Sequence, residues 1–171
     1  KRFKPNIITI CRLNNRLKRL DHFVKIAKEC SHLDFLIYGN GPDRDKIRNF
    51  SKHINNVRMC GETNDIEGAH RNAGIFILTS DQESFGISII EALSQGTPVI
   101  IAKNSFINAK RFIKNNYNGF VCDEFNPREI RKKIEIIELD YQRFSQNSIL
   151  SFKDFNKQNF KNQWEKHFKI K

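Results

Sequence analysis

Two glutamates, Glu83 and Glu91, stand eight positions apart in the stretch from Ser80 to Ile101. A helix predicted from Gly86 to Gln95 places Glu91 among the apolar side chains Ile87, Ile89, Ile90, Ala92 and Leu93. Such a helix should be largely buried, and a buried carboxylate needs a partner. Glu83 comes just before the helix, where free N–H groups and the helix dipole favour a bound anion. The pattern therefore predicts a ligand site.

Each glutamate also has a purely structural interpretation. Glu83 could stabilise the N-terminus of its own helix as an acidic neighbour. Glu91 could form a salt bridge with a basic residue across the site. Because the two glutamates occur together with Phe85 and Gly86 between them, we favour ligand binding over either alternative.

Two cations, Arg12 and Lys18, follow the first predicted strand in the segment CRLNNRLKRL. Fixed cations can bind an anionic ligand and stabilise negative charge that develops during a reaction, without a metal ion. In a chain with 30 Lys and Arg residues, any single cation is more often a solvated surface charge. Because Arg12 and Lys18 follow a predicted strand, we favour a ligand-binding role for them over a solvated surface charge. Arg16 or Arg19 could take the place of Lys18.

Strands and helices alternate along the chain. Apolar runs predict strands at Asn6–Cys11, Asp34–Tyr38, Val57–Cys60, Ile75–Thr79, Pro98–Ala102 and Gly119–Cys122. Helices are predicted at Asp21–Cys30, Asp43–Lys52, Asp65–Asn72, Gly86–Gln95, Ile107–Lys114 and Pro127–Leu139. This alternation indicates an α/β fold, a Rossmann-like parallel sheet with helices on both faces. Such sheets bind ligands at the carboxyl ends of their strands, where the residues discussed above fall.

The charge of the chain favours anionic partners. With 30 basic and 19 acidic residues the formal net charge is +11, and Lys1 to Arg19 contains seven basic residues and no acid. One end of the sheet should therefore be electropositive, which suits nucleotide phosphates, nucleic acid or an acidic membrane surface. A length of 171 residues with 39% hydrophobic residues fits one domain with its own core.

The cysteines and histidines carry no metal-binding pattern. Cys11, Cys30, Cys60 and Cys122 show no C-x-x-C pairing, and the five histidines show no H-x3-H spacing. We therefore expect small buried thiols in a reducing cytosol and no metal site. With no signal peptide and no apolar run of roughly 20 residues, the sequence predicts a cytoplasmic protein. The start at KRFKPN, without an initiator Met, is typical of a fragment cut at a linker.

The order ESFG, helix and then EA-x3-G-x-PVI is similar to the donor-binding half of retaining GT-B glycosyltransferases, specifically glycosyltransferase family 4. The resemblance runs from about Asn6 to Val121. It implies that Glu91 holds the ribose hydroxyls of a nucleotide sugar, that Glu83 contacts the hexose, and that the two cations clamp the diphosphate. Backbone amides at the helix start would face the diphosphate, and the loop after the third strand would recognise the nucleobase. The implied donor-binding residues are Ser84, Phe85, Gly86 and Ile87 at the helix start, and Gly61, Glu62 and Thr63 in the loop.

Two further segments bear on this resemblance. The turn Gly39–Pro42 resembles the family's G-x-G-P turn, for which we expect a structural role. After the fifth predicted strand the chain lacks the family's glycine pair and has Lys110-Arg111 where an acid is usual. Because segment 102–118 approaches the donor sugar in the family, the identity of the sugar is the inference most affected. The extra cations would suit an acidic sugar or acceptor.

The whole chain, residues 1–171, is interpreted as a single domain, one half of a GT-B enzyme whose N-terminal acceptor domain is absent. The resemblance implies retaining, metal-independent transfer of a hexosyl group from a UDP- or GDP-sugar to a glycan or lipid-linked acceptor in polysaccharide biosynthesis. The departing phosphate would help to deprotonate the acceptor, so no protein nucleophile is needed. This domain alone is expected to bind donor but to transfer little.

Two rival functions stay open. A nucleotide-sugar epimerase-type enzyme shares the fold and would be recognised by its product. A basic nucleic-acid-binding module is motivated by the charge, but the sequence has no recognisable nucleic-acid motif, which disfavours it.

The tail from Phe152 to Phe168 interleaves aromatic residues with lysines. We favour a packing helix there over peripheral contact with the anionic inner face of a membrane.

Overall fold

The computed structural model describes residues 2–81, 86–102, 111–123 and 126–153. Within these ranges six β-strands span Asn6–Ile10 (β1), Asp34–Tyr38 (β2), Val57–Gly61 (β3), Ile75–Leu78 (β4), Val99–Ala102 (β5) and Gly119–Cys122 (β6). Seven α-helices span Asn15–Lys18 (α1), Leu20–Glu29 (α2), Arg44–Ser51 (α3), Ile66–Arg71 (α4), Ile87–Ser94 (α5), Pro127–Leu139 (α6) and Tyr141–Lys153 (α7).

The six strands form one parallel sheet in the order β3-β2-β1-β4-β5-β6. The chain adds β2 and β3 on one side of β1 and then crosses over to add β4, β5 and β6 on the other side. The order therefore reverses between β1 and β4, where Ile7 pairs with Ile75 and Ile8 with Phe76. In open α/β sheets such a reversal opens a crevice at the carboxyl ends of the strands, and this is where ligands bind.

The side chains of the central strands divide the core into two layers. Ile75 and Ile77 of β4 pack on the face covered by α2 and α6, whereas Phe76 and Leu78 pack on the face covered by α5. All four β4 side chains are buried. A strand covered on both faces is a continuous apolar run, as IFIL is. The predicted Rossmann-like sheet with helices on both faces is thus confirmed.

Most of the predicted element bounds agree with the structure. The predicted and observed bounds are identical for β2, β6 and α6, and those of the other strands differ by one residue at an end. Two predicted segments cannot be compared in this way. The predicted helix from Ile107 to Lys114 has its first half, residues 107–110, outside the described residues, and residues 111–114 form no α-helix. The tail from Phe152 to Phe168 falls mostly on residues 154–171, which also lie outside the described residues.

Sequence reasoning missed two helices. With four residues, α1 is too short to show a period, although Asn14 caps it by accepting a hydrogen bond from Leu17 N. With 13 residues, α7 is long, but its serines, glutamines and asparagine include modest helix formers. It packs on α5, and the hydroxyl of buried Ser145 lies close to Gly96, just after the end of that helix. In the described part of the chain, no helix has the length and apolar character needed to cross a membrane.

The cysteines depart in part from expectation. All four are free thiols, and Cys30 is buried as predicted, but Cys60 is exposed. The expectation of buried thiols is therefore wrong for Cys60. The physical reason is its place on β3, an edge strand along which half-buried and exposed residues alternate.

Candidate functional site

The loops that follow β1 and β4 meet at the carboxyl edge of the sheet. The Oγ1 of Thr79 donates a 2.7 Å hydrogen bond to the carbonyl oxygen of Lys18. The backbone N–H of Asp81 donates a 3.0 Å hydrogen bond to the carbonyl oxygen of Leu17. These two bonds hold the end of α1 against the loop after β4. The structure thus places Lys18 beside the segment that leads to Glu83.

The four candidate cations near this edge have different surroundings. The Arg12 side chain is exposed and has no hydrogen-bond or ion-pair partner in the part of the chain that the structure describes. Lys18 is half-buried at the end of α1. Arg16 lines an open cavity of about 770 Å³ between α1 and α3. Arg19 is already paired with Asp21 and Asp81. Arg19 is therefore a poor substitute for Lys18, because its charge is used within the protein.

The Glu91 carboxylate lies on α5, between the buried side chains Ile90 and Ala92. It is half-buried, and burial raises its pKa above the ordinary value of 4.5. Among the residues that the structure describes, it has no hydrogen-bond or ion-pair partner, so the salt bridge considered from the sequence is not observed there. A half-buried carboxylate without a protein partner is suited to accept hydrogen bonds from a ligand.

The N-terminus of α5 begins after a glycine with a left-handed backbone conformation. Gly86 precedes the helix with φ 79° and ψ 47°, a left-handed conformation that glycine adopts without steric cost. Among the described residues no side chain caps this end, and no acidic residue lies in the first turn. The first amide groups of a helix lack intrahelical acceptors and can bind an anion. The diphosphate contacts predicted for Gly86 and Ile87 fall at this helix start and stay predictions.

One detail of α5 corrects the sequence interpretation. Ile87 was counted among the buried apolar side chains, but 63% of it is exposed. The residue occupies the first helical position, at the edge of the sheet, where the packed layers of the core end. Three other predicted donor-site residues, Glu83, Ser84 and Phe85, lie outside the described residues.

A second group of predicted site residues surrounds a cavity of about 410 Å³. Arg12, from the loop after β1, lines it together with Glu62 and Thr63, from the loop after β3. Tyr38, Ile10 and Ile66 supply apolar walls. Gly61 has a structural task beside the cavity, since its carbonyl accepts a 2.7 Å hydrogen bond from Gly39 N. The cavity thus combines apolar walls with polar groups, as ligand pockets commonly do.

The Gly39–Pro42 turn has the structural role expected for it. A Cβ atom on Gly39 would lie 1.9 Å from the carbonyl oxygen of Cys11. The turn also exchanges backbone hydrogen bonds with the loop after β1, because Asn40 O accepts from Leu13 N and Leu13 O accepts from Asp43 N. Glycine at position 39 therefore lets the two loops that border the cavity pack together.

Sequence reasoning did not select several residues that shape the site. Thr79 and Asp81 fix the end of α1, and Asp43 accepts a 2.7 Å hydrogen bond from the backbone N–H of Asn15. These residues come directly after β4 or in the turn after β2. The rule that ligand loops follow parallel strands could have identified them by position, but their residue types gave no chemical signal. Among the described residues, no group of three His, Cys, Asp or Glu side chains could hold a metal ion.

Comparison with known proteins places the chain in a family. The family model described as "Glycosyl transferases group 1" matches residues 2–150. The poly(glycerol-phosphate) alpha-glucosyltransferase of Bacillus subtilis (strain 168) is 29% identical over 171 residues, which cover 94% of this chain and 25% of that protein. The poly(ribitol-phosphate) alpha-N-acetylglucosaminyltransferase of Staphylococcus aureus (strain COL) is 29% identical over 124 residues, which cover 68% of this chain and 25% of that protein.

Solved structures show the same fold. The crystal structure of TarM aligns with a TM-score of 0.85 at 24% identity, covering 96% of this chain and 35% of that one. Anabaena HepE in complex with UDP aligns with a TM-score of 0.80 at 19% identity, and the alignment covers 97% of this chain and 49% of HepE. Both similarities concern the fold, which is that of one Rossmann-like part of GT-B glycosyltransferases.

The chain is shorter than these relatives. It spans between 25% and 44% of the length of the first curated proteins that it matches. The family match nevertheless extends over nearly the whole chain, including the sheet, α5 and both loops of the site. By this match and by its fold, the chain belongs to the family of glycosyl transferases group 1.

Proposed function

We propose that this chain is the nucleotide-sugar-binding domain of a retaining, metal-independent glycosyltransferase of family 4. The observation that carries the proposal is the half-buried Glu91 carboxylate on α5. Among the described residues it has no partner, and the N-terminus of the helix has no side-chain cap there. The helix follows β4, one of the two strands between which the strand order reverses.

The donor is a nucleoside diphosphate sugar, UDP-linked or GDP-linked. Several relatives were solved with UDP, among them TarM and HepE, which favours a uridine nucleotide. The base would occupy the 410 Å³ cavity beside Glu62 and Thr63. The ribose hydroxyls would donate hydrogen bonds to Glu91. Arg12 and the first amide groups of α5 would then bind the diphosphate, and Lys18 would reach it from the end of α1.

The chemistry assigned to these groups is electrostatic. When the bond between the sugar and the phosphate breaks, negative charge grows on the leaving diphosphate, and fixed cations and helix amides stabilise that charge. Glu83 would hold the hexose. The departing phosphate oxygen would take the proton of the acceptor hydroxyl on the face from which it leaves, which gives retention. No metal ion is required, because Arg12 and Lys18 supply the positive charge.

The acceptor is a glycan or a lipid-linked saccharide of polysaccharide biosynthesis, bound by a second, N-terminal domain. The curated relatives named above act on poly(glycerol-phosphate) and poly(ribitol-phosphate), and they are about four times as long as the match. The domain alone should therefore bind donor without measurable transfer. Contact with an anionic membrane at the cytoplasmic face would suit a lipid-linked acceptor and a net charge of +11.

Calorimetric titration with UDP, GDP and ADP tests the proposal. We expect one nucleotide, UDP, to bind selectively, and Glu91→Ala to weaken its binding by about 1–3 kcal/mol, the usual scale of hydrogen bonds to a charged group. Glu135→Ala is the matched control, because Glu135 is a helical glutamate on α6, in a surface ion pair with Arg131. Equal binding by Glu91→Ala and the parent chain would contradict the proposal.

A further inference from the structure

Arg19 has an unusual backbone conformation for its residue type. Its φ of 48° and ψ of 46° are left-handed, and it is one of two non-glycine residues with positive φ among the described residues. It ends α1 and directly precedes α2. A side chain in this conformation crowds its own backbone, so the surrounding structure must hold it there.

The Arg19 side chain bridges two elements of the site. Its Nη1 lies 3.0 Å from Asp81 Oδ2, in the loop after β4, and its Nε lies 3.2 Å from Asp21 Oδ1, in the first turn of α2. The guanidinium also contacts the His22 ring. Both ion pairs raise the pKa of Arg19, which therefore remains charged. One side chain thus connects α2, the end of α1 and the loop after β4.

Two hydrogen bonds of neighbouring residues also connect the end of α1 to the loop after β4. Lys18 O accepts from Thr79 Oγ1, and Leu17 O accepts from Asp81 N. A single exposed ion pair contributes little to stability, and 32% of the Arg19 side chain is exposed. Here, however, the ion pair and the two backbone contacts restrain one short helix turn. Together they set where Lys18 stands relative to the loop after β4.

We propose that Arg19 is a positioning residue that ties α1 to the loop after β4 and so places Lys18 for contact with the diphosphate. This inference rests on the proposed function. Arg19 does not itself bind the ligand, because Asp21 and Asp81 neutralise its charge. It acts through the backbone of Lys18 and through the fixed distance between two loops of the site.

Three variants separate this role from a general loss of folding. In Arg19→Gly the ion pairs are removed, but glycine adopts the left-handed backbone conformation without steric cost. Backbone strain should therefore not destabilise this variant. Arg19→Lys retains the charge but not the planar fork that reaches two carboxylates. Arg58→Ala is the control, because Arg58 forms a similar ion pair with Asp34, at 3.2 Å, near the amino ends of β2 and β3.

The first measurement compares the affinities of the 171-residue chain for UDP and for uridine. We expect Arg19→Gly to bind UDP roughly tenfold more weakly, with uridine affinity within about twofold of the parent. Arg19→Lys should recover part of the loss, and Arg58→Ala should bind both ligands as the parent does. Unchanged UDP affinity in Arg19→Gly, or an equal loss for uridine, would overturn the proposal.

The second measurement needs no nucleotide. Hydrogen exchange of the Asp81 amide reports the bond to Leu17 O, and we expect it to quicken in Arg19→Gly while thermal unfolding stays close to that of the parent. Unchanged exchange would overturn the connection between the loops. If the parent bound none of UDP, GDP and ADP, the proposed function would fail, and with it the placement of Lys18 for a diphosphate. Exchange would still decide whether Arg19 ties the loops together.

Discussion

The two halves of the candidate site, the turn around α1 and the start of α5, differ in how many of their polar groups are hydrogen-bonded within the protein. Around α1, Asn14 caps the helix, Asp43 accepts from Asn15 N, and Thr79 donates to Lys18 O. At α5 the helix start has no side-chain cap, and Glu91 has no partner among the described residues.

This difference separates the groups that are hydrogen-bonded within the protein from the groups that we propose bind a ligand. Buried or half-buried polar groups are normally hydrogen-bonded, and the turn around α1 follows that rule. Within the described residues α5 departs from it, because the Glu91 carboxylate has no partner there and the helix start has no side-chain cap. Such departures are expected where function requires them. We therefore expect changes at α5 to act on binding alone, and changes around α1 to act on both binding and stability.

Removing the cations should have the largest effect. The double variant Arg12→Ala and Lys18→Ala is expected to weaken UDP binding by about 3 kcal/mol or more, since each charge-assisted hydrogen bond contributes about 1.5–3 kcal/mol. Uridine, which has no phosphate, should lose much less. Calorimetry on the variant and the parent measures both affinities.

Lys28→Ala with Lys52→Ala is the matched control for charge. Both residues are exposed, at the C-terminal ends of α2 and α3, and the double change removes the same net charge without altering a residue that lines either cavity. If this control weakened UDP binding as much as the site variant does, the effect would be general electrostatics and the assignment of Arg12 and Lys18 would be wrong.

A smaller effect is expected from Thr79→Val, which removes the hydroxyl that binds Lys18 O while keeping the shape of the side chain. The free energy of unfolding should fall by about 1 kcal/mol, the typical contribution of one hydrogen bond, and UDP affinity should fall severalfold. Denaturant titration and calorimetry measure the two quantities.

Thr97→Val is the matched control for that change. Thr97 is buried, and its Oγ1 donates a 2.6 Å hydrogen bond to His70 O, just before β5 begins and far from the carboxyl edge. It should lose similar stability and no affinity. Loss of affinity in both variants would show that binding follows overall stability, and the comparison between the two halves of the site would fail.

The smallest effect is a pH dependence carried by Glu91. Burial raises its pKa above 4.5 in the free protein, and hydrogen bonds donated by a ribose would favour its charged form and lower the pKa again. UDP affinity should therefore increase as the pH rises from 4.5 through the raised pKa, and level off above it. Calorimetry over this pH range should show the rise in the parent and not in Glu91→Gln.

Stability should change in the opposite direction in the same window. Because the folded pKa of Glu91 is raised, the folded state holds more protons there than the unfolded chain does. The contribution of Glu91 to the free energy of unfolding is thus largest below 4.5 and declines as the pH rises through the raised pKa. Identical stability profiles for the parent and Glu91→Gln would contradict a buried Glu91.

Sequence patterns sufficed for most of the fold. The run IFIL and the alternation of apolar runs with helical periods predicted a parallel sheet, because burial on both faces demands continuous apolar strands. They failed for α1, which is too short to show a period, and for α7, where serines replace the usual apolar stripe. In α7 tertiary packing overrides weak local propensity, since Ser145 lies against Gly96 of the α5–β5 connection.

For the candidate site, the sequence by itself determined which charged residues follow the strands and that Glu91 belongs to a largely apolar helix. Only the tertiary structure decided how those groups are used. Arg16, Lys18 and Arg19 are near neighbours of similar charge, and local sequence cannot rank them. The ranking depends on Asp81, which lies 62 positions from Arg19 along the chain and 3.0 Å from it in the fold.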